Sequence, residues 1–560
     1  MSQLQIKNLT HAIGNKVLLD KAFLNIEEGS RIGLVGPNGT GKTTFLNLLF
    51  ERPHLYKSEM VYKKHLVIGY TQQFLSPKYF GKTIEQWADE KNHEFLQYLF
   101  ELGFEQDSLV KKVEELSGGW ASRFQLAHVL SEHPDLILMD EPTNNMDIES
   151  IILLEEFLIK NRKTSFIVVS HDRKFLDAVT SQTCFLRHGQ LELIHHPFSR
   201  AQEILFHRDE DLRIQNEKLN KKIEKLESSA TQLAQWGRQF DNEKFSTRAK
   251  SMLKRADNMR ESFQIEKDLS PLKVSMESSS LRAPFPIRIL SAKISIPGSD
   301  SFLYSIESLQ IKKGEKVAFW GPNGIGKSLF LKDIVENGID KGTVNPQVKV
   351  GYFSQWLDHF PLHVSMREYL LEQTDLSELD ATRHLVQCGF PYEKQTQKIE
   401  QLSGGERARL CLLVLKLQKP NFLVLDEPTN HLDFQGIEDL VEILAEEQLT
   451  VLFVSHDRDF LEKVASHYLF VDEGLLKKST AWPGLSSHGM NALAIPDSNM
   501  KQGESSEDRL IKEIEKLEQR LKVERGLPRK KQSAQRQERW TKELDDLYTS
   551  LESASCDHAL

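Results

Sequence analysis

The sequence predicts an α/β protein built by repeating one domain in tandem, with a helical hairpin between the copies and a coiled-coil hairpin near the C-terminal end. Three observations carry this prediction. Four short motifs recur in one order at a nearly constant spacing, apolar runs of strand length precede them, and two stretches outside the copies space their apolar residues at helical intervals.

The repeat is explicit. The segment Gly36 to Thr43 (GPNGTGKT) returns as Gly321 to Ser328 (GPNGIGKS), an offset of 285. LSGG at Leu116 returns at Leu402, and the DEPTN that begins at Asp140 returns at Asp426, both at offset 286. The SHDR of Ser170 to Arg173 returns at Ser455 to Arg458, offset 285. The runs Arg31 to Val35, Leu136 to Met139 and Phe166 to Val169 are continuously apolar or nearly so. Such runs suit strands covered on both faces of a largely parallel sheet, with helical crossovers between them.

Each G-x4-G-K-[ST] loop has the chemistry of a phosphate cradle. Its glycines let successive backbone N–H groups converge on phosphate oxygens, and the following helix turns its positive end toward them. The predicted cradles are Gly36, Pro37, Asn38, Gly39, Thr40, Gly41, Lys42, Thr43 and Thr44 in the first copy, and Gly321, Pro322, Asn323, Gly324, Ile325, Gly326, Lys327 and Ser328 in the second. Lys42 and Lys327 are expected to reach the outer phosphates, and Thr43 and Ser328 to ligate Mg²⁺. Asp140 and Asp426 end apolar strands where a carboxylate can support the same ion, and Glu141 and Glu427 follow, placed to polarise a water molecule.

With these motifs in order, the chain resembles the ATP-binding cassette (ABC) ATPases, which implies two tandem P-loop NTPase domains of ABC type. Ser117, Gly118 and Gly119, and Ser403, Gly404 and Gly405, match that family's signature motif. The resemblance implies that each signature faces the nucleotide held by the opposite copy. Site one would join Lys42, Thr43, Asp140, Glu141 and His171 to Ser403–Gly405, and site two Lys327, Ser328, Asp426, Glu427 and His456 to Ser117–Gly119. Gln73 and Gln355 match the Q-loop glutamines, and His171 and His456 the histidines that sense the terminal phosphate. Some positions depart from the family pattern. Ile13 stands where an adenine-stacking ring is usual, the second copy offers no clear ring, and Trp120 replaces the acidic residue found at Glu406. No departure removes a catalytic group, so both sites are expected to hydrolyse ATP.

Between the copies, Leu219, Ile223, Leu226, Ala230 and Leu233, and then Ala249, Met252, Ala256, Met259 and Phe263, step by three and four. This spacing predicts two antiparallel helices of similar length joined at a Gly-containing tip, Gln235 to Phe240. From Arg213 to Arg260 there are twelve Lys/Arg against six Asp/Glu, in a chain of net charge −9. Trp236, Arg238, Phe240, Lys244 and Arg248 are candidate RNA contacts. A long helical linker of this kind is similar to that of the F subfamily of ABC proteins, which implies the ribosome, near its tRNA and peptidyl-transferase region, as partner. The expected divisions are 1–199, linker 200–285, 286–485, flexible segment 486–506 and coiled coil 507–555. Only 42 residues separate Gln73 from Leu116, against 46 in the second copy, so no extra arm is expected there.

Other readings stay open at this point: a DNA-associated ATPase acting through the basic turn Arg529-Lys-Lys531 of the C-terminal hairpin, or the ATPase component of a transporter. No run of about 18 apolar residues is present, so no membrane span is expected. No signal peptide is expected from the N-terminal residues. The four scattered cysteines, Cys184, Cys388, Cys411 and Cys556, suit a reducing cytoplasm. A monomer that pairs its own two domains is expected, with translation regulation, rescue of stalled ribosomes and antibiotic resistance all open as outcomes.

Overall fold

In the computed structural model the apolar runs ahead of the motifs are strands buried on both faces. The structure describes residues 2–482 except 15, 52–59, 64, 92, 162–163, 240–242, 262–284, 297–301, 339–342, 356–359 and 446–448. The expected segment 486–506 and coiled coil 507–555 lie outside the described residues, as does Phe240.

The first cassette is centred on a six-stranded sheet in the order Ile68–Thr71, Leu136–Asp140, Ser165–Val169, Arg31–Val35, Gln182–Arg187, Gln190–Ile194. Its first five strands run parallel and the last is antiparallel. A parallel sheet needs cover on both faces. One face carries the helix Lys42–Glu51 and a three-stranded antiparallel sheet, through Phe45, Leu49, Leu4 and Ile26. The other carries the helices Gly118–Leu130 and Ile148–Lys160, through Phe124, Leu154 and Phe157. The second cassette repeats the plan around Lys316–Phe319, Thr450–Val454 and Phe422–Asp426, in an eight-stranded mixed sheet. The parallel order brings every phosphate loop, acidic strand end and switch histidine to the C-terminal edge of its sheet, where ligands of open α/β sheets bind.

Between Gln73 and Leu116 two helices, Ile84–Glu90 and His93–Glu101, match Met366–Gln373 and Glu378–Gln387 of the second cassette. No further arm is present there among the described residues.

The linker differs from expectation at its tip. Its first helix spans Phe198–Gln239, 42 residues, and its second is described over Glu243–Glu261, with Phe263 of the expected stripe outside the described residues. The first helix is rooted in the first cassette, where Phe198, Ala201 and Leu205 belong to the core. The expected tip at Gln235 to Phe240 is helical as far as Gln239, with Gly237 inside the helix. One glycine costs a helix only about 1 kcal/mol, less than the packing along the hairpin returns. That packing uses the predicted stripes: Ile223, Ala230, Ala249 and Ala256 are buried, and Leu219, Leu226, Leu233, Met252 and Met259 are half-buried. Arg260 pairs with Glu227 across the hairpin at 2.6 Å. Among the described residues no helix is long and apolar enough to cross a membrane.

Candidate functional site: two phosphate loops facing across a pseudo-twofold

At each loop the lysine folds back over its own cradle. Lys42 Nζ donates to the carbonyls of Gly36 (2.7 Å) and Pro37 (3.3 Å), and Lys327 Nζ to those of Gly321 (2.8 Å) and Pro322 (3.0 Å). Burial lowers the pKa of both, against the pull of Glu141 on Lys42 and of Glu427 on Lys327. Gly39 and Gly41 hold φ of 74° and 100°, values that L side chains rarely adopt and that turn the loop's N–H groups inward. Ser328 Oγ donates to Asp426 Oδ1 at 3.1 Å, and Thr43 makes the matching hydrogen bond to Asp140.

Glu141 and Glu427 sit just past their strands in the left-handed region, at φ 50° and 49°. Each backbone N–H is tied across the sheet, to the carbonyls of Val169 at 2.9 Å and Val454 at 3.0 Å. This kink turns both carboxylates away from the strand line and against the switch histidines. His171 Nε2 lies 3.2 Å from Glu141, and His456 Nε2 3.2 Å from Glu427. Burial pushes Glu141 up to about 7 and Asp140 to about 6, and holds both histidines down at about 3, as neutral imidazoles. Burial likewise raises Glu427 and Asp426. Asp140 Oδ2 and Glu141 Oε2 are buried without hydrogen-bond partners. Such orphaned acceptors mark a place prepared for a cation and a polarised water. One hydroxyl and one carboxylate per site also suit Mg²⁺, which takes few protein ligands beside substrate phosphates.

The two sites meet across the cassettes. Asp433 accepts from Asn38 N at 3.2 Å, and Asp147 accepts from Asn323 N at 3.3 Å. Asn323 also donates its side-chain amide to the carbonyl of Asn145 at 3.0 Å, and its Oδ1 meets His456 Nε2 at 3.0 Å. Each phosphate loop therefore touches the segment after the acidic strand of the other copy. Arg409, two turns into the second signature helix, donates to Asp433 at 3.3 Å, carrying that helix to the first phosphate loop. Ser117 and Ser403 begin the helices Gly118–Leu130 and Gly404–Gln418, with Gly118–Gly119 and Gly404–Gly405 as their first residues. Gln355 is half-buried beside its strand, whereas Gln73 is exposed; its neighbour Gln72 is held by Gln125, so Gln73 is not gathered into the site. Ile13 is 56% exposed at a hairpin end.

Lys244 and Arg248 are exposed on the second linker helix, and Trp236 and Arg238 fall on the last turns of the first.

Residues that received no role from the sequence hold the cassettes together. The arginines of the SHDR repeats cross the interface: Arg458 forks onto Glu155 and lies 3.5 Å from Asp172, and Arg173 meets Glu438 at 2.5 Å. The repeat of the arginine was visible; its partners were not, because Glu155 and Glu438 occupy different positions in their copies.

The comparisons agree with this geometry. The ABC transporter family model matches residues 19–144 and 305–430. ABC transporter F family member 4 of Arabidopsis thaliana is 28% identical over 534 residues, covering 83% of this chain and 73% of that protein. Both cassettes carry the ABC transporter family domain, and the chain is similar to proteins named as F family members. It is an ATPase. Ribosome protection protein VmlR of Bacillus subtilis (strain 168) is 28% identical over 498 residues, 84% of this chain and 87% of VmlR. Among solved structures, an archaeal ribosome recycling factor, aABCE1, crystallised with a ribosomal stalk protein, shares the fold at TM-score 0.56 and 18% identity, over 84% of this chain and 89% of that one.

Proposed function

We propose that this ATPase is an F-family member that acts on the ribosome in the cytoplasm, gripping it while two Mg–ATP molecules hold the cassettes together and leaving after hydrolysis. The observation that carries the proposal is the linker: a helical hairpin rooted in the first cassette, with the exposed basic residues Lys244, Arg248, Lys250, Lys254 and Arg255 along its second helix. An RNA backbone is the natural counterpart of such a stripe. Similarity to VmlR, a ribosome protection protein by name, supports the same reading.

At each site the chain's own residues do the following. The loop amides with Lys42 or Lys327 hold the phosphates, and the opposing signature, Ser403–Gly405 or Ser117–Gly119, completes the cradle. Glu141 or Glu427 orients the attacking water, with His171 or His456 fixing the carboxylate's direction. Mg²⁺, held by Thr43 and Asp140 or by Ser328 and Asp426, would neutralise charge on the phosphate oxygens. Binding energy from closure positions the linker, so ATP sets a residence time and does no chemistry on another substrate.

The test is co-sedimentation of the Glu141→Gln/Glu427→Gln protein with ribosomes in ATP, at 50 and 200 mM salt. Retention that weakens steeply with salt is expected, roughly as counterion release predicts for several phosphate contacts. Failure to sediment, with tight binding to duplex DNA, would overturn the proposal in favour of a DNA-associated ATPase.

A further inference from the structure

Among the described residues, the root of the first linker helix touches site one. Phe198, the first residue of the linker helix, stacks on Phe434 of the second cassette, with centroids 4.4 Å apart and planes 23° from parallel. Phe434 directly follows Asp433, the carboxylate that accepts from Asn38 in the first phosphate loop. The ring of His171 lies 5.5 Å from Phe434. The Arg173 guanidinium sits over both phenyl rings, 5.9 Å from Phe198 and 5.5 Å from Phe434, and pairs with Glu438 one turn further along the same helix. A cavity of about 410 Å³ opens beside the stack, between Gly36, Pro37, Gln202, Phe206 and Gln435, so the stack borders the first phosphate loop.

Among its described residues the other half has no ring at the place of Phe434. At offset 286 from Phe434 stands Ile148, which follows Asp147 and packs into the core of the second cassette. Arg458, at the place of Arg173, is taken by Glu155 and Asp172.

We propose that the Phe198–Phe434 stack, capped by Arg173, makes Phe198 and Phe434 positioning residues for hydrolysis at site one, so that this site alone reads the position of the linker hairpin. Two stacked rings keep one mutual orientation better than two aliphatic chains do. A shift of the helix root therefore moves Phe434, and with it Asp433 against Asn38 and the surroundings of His171. Among the described residues, no ring stack joins the linker root to site two. The proposal rests on the assignment of Glu141 and Glu427 as the hydrolytic carboxylates, and it is independent of what the hairpin binds.

The test is single-turnover ATP hydrolysis by the full chain carrying Glu427→Gln, which leaves site-one chemistry, and by the chain carrying Glu141→Gln, which leaves site two. Phe198→Leu keeps the apolar volume and removes the stack. A fall of about three- to tenfold in the site-one rate constant is expected, with the ATP concentration for half-maximal rate unchanged, no change at site two, and recovery in Phe198→Tyr. Phe434→Leu should give the same pattern. Equal loss at both sites, or no recovery with tyrosine, would mean that the rings only fill the core and would overturn the proposal. Should the Glu427→Gln chain with Phe198 intact show no hydrolysis, the two-site assignment fails and the proposal falls with it.

Discussion

The two signature helices begin alike and are tied down differently. Ser117 and Ser403 share the same backbone, φ −64° and ψ 160° at both. In the second cassette Glu406 closes a capping box: Ser403 Oγ accepts from Glu406 N at 3.3 Å, and the Glu406 carboxylate accepts from Ser403 N and Oγ at 2.9 Å each. Lys394 steadies that carboxylate at 2.9 Å. In the first cassette Trp120 stands in its place, and Ser117 makes no capping hydrogen bond. The indole packs instead under the Arg123 guanidinium, 3.7 Å from the ring centroid, and against Phe104. The motif fixes the backbone, while the residue after it decides whether the serine hydroxyl is engaged before nucleotide arrives. On the proposed pairing, Ser403 would leave its cap to meet nucleotide at site one, whereas Ser117 has no cap to leave at site two.

The largest effect that can sharpen this contrast is loss of the acidic pair one residue at a time. Glu141→Gln and Glu427→Gln should each lower single-turnover hydrolysis at their own site by about 10²-fold or more. The intact sites should then differ in rate, and equal rates would remove the functional meaning of the cap. Next come the crossing arginines. Arg458 is nearly buried against Glu155 and Asp172, so Arg458→Ala strands buried carboxylates at a cost of about 3–5 kcal/mol. Arg173 faces a Glu438 side chain that is 41% exposed, so Arg173→Ala should cost only about 1 kcal/mol through that pair. Urea unfolding of the two variants measures the difference, and a reversed order would mean that the two halves of the interface are misassigned. Smaller again is Glu406→Ala, which removes the capping box at a cost of about 1 kcal/mol of helix stability. It should also bring site one closer to site two in nucleotide affinity; titration with a fluorescent ATP analogue reads this, and an unchanged ratio would break the comparison.

The smallest effect is on pH dependence. Asp457 caps its helix through Phe460 N at 3.0 Å, and burial together with Asp172 raises its pKa above the ordinary carboxylate value. Arg458 and Asp459 are the other charges near it. The unfolded chain releases this proton near 3.8 while the folded chain still holds it, so stability declines as the pH rises from there toward neutrality. Asp457→Asn, which retains a capping oxygen, should flatten that decline in thermal melts at pH 5 and 7.

Much of this was legible because short motifs bind backbone as well as side chains. The apolar strands, the phosphate loops, the acid–histidine pairs and the buried stripes of the linker follow from local pattern, and local pattern survives in one sequence. The tip of the hairpin did not follow: Gly237 carries a turn signal, yet the helix runs through it, and a single glycine costs a helix only about 1 kcal/mol. The cross-cassette contacts were hidden for another reason. Glu155, Glu438 and Phe434 sit at positions that do not repeat, so the duplication that exposed the sites gave no sign of the partners that join them.

The exchange of Phe434 and Ile148, each buried in the other cassette's core, has a consequence for how the molecule rests. Separating the halves would turn a phenyl ring and an isoleucine out into water, at roughly 2 kcal/mol apiece. The reopened molecule would thus be a loaded spring with wet apolar faces, drawn back to closure before any nucleotide is counted.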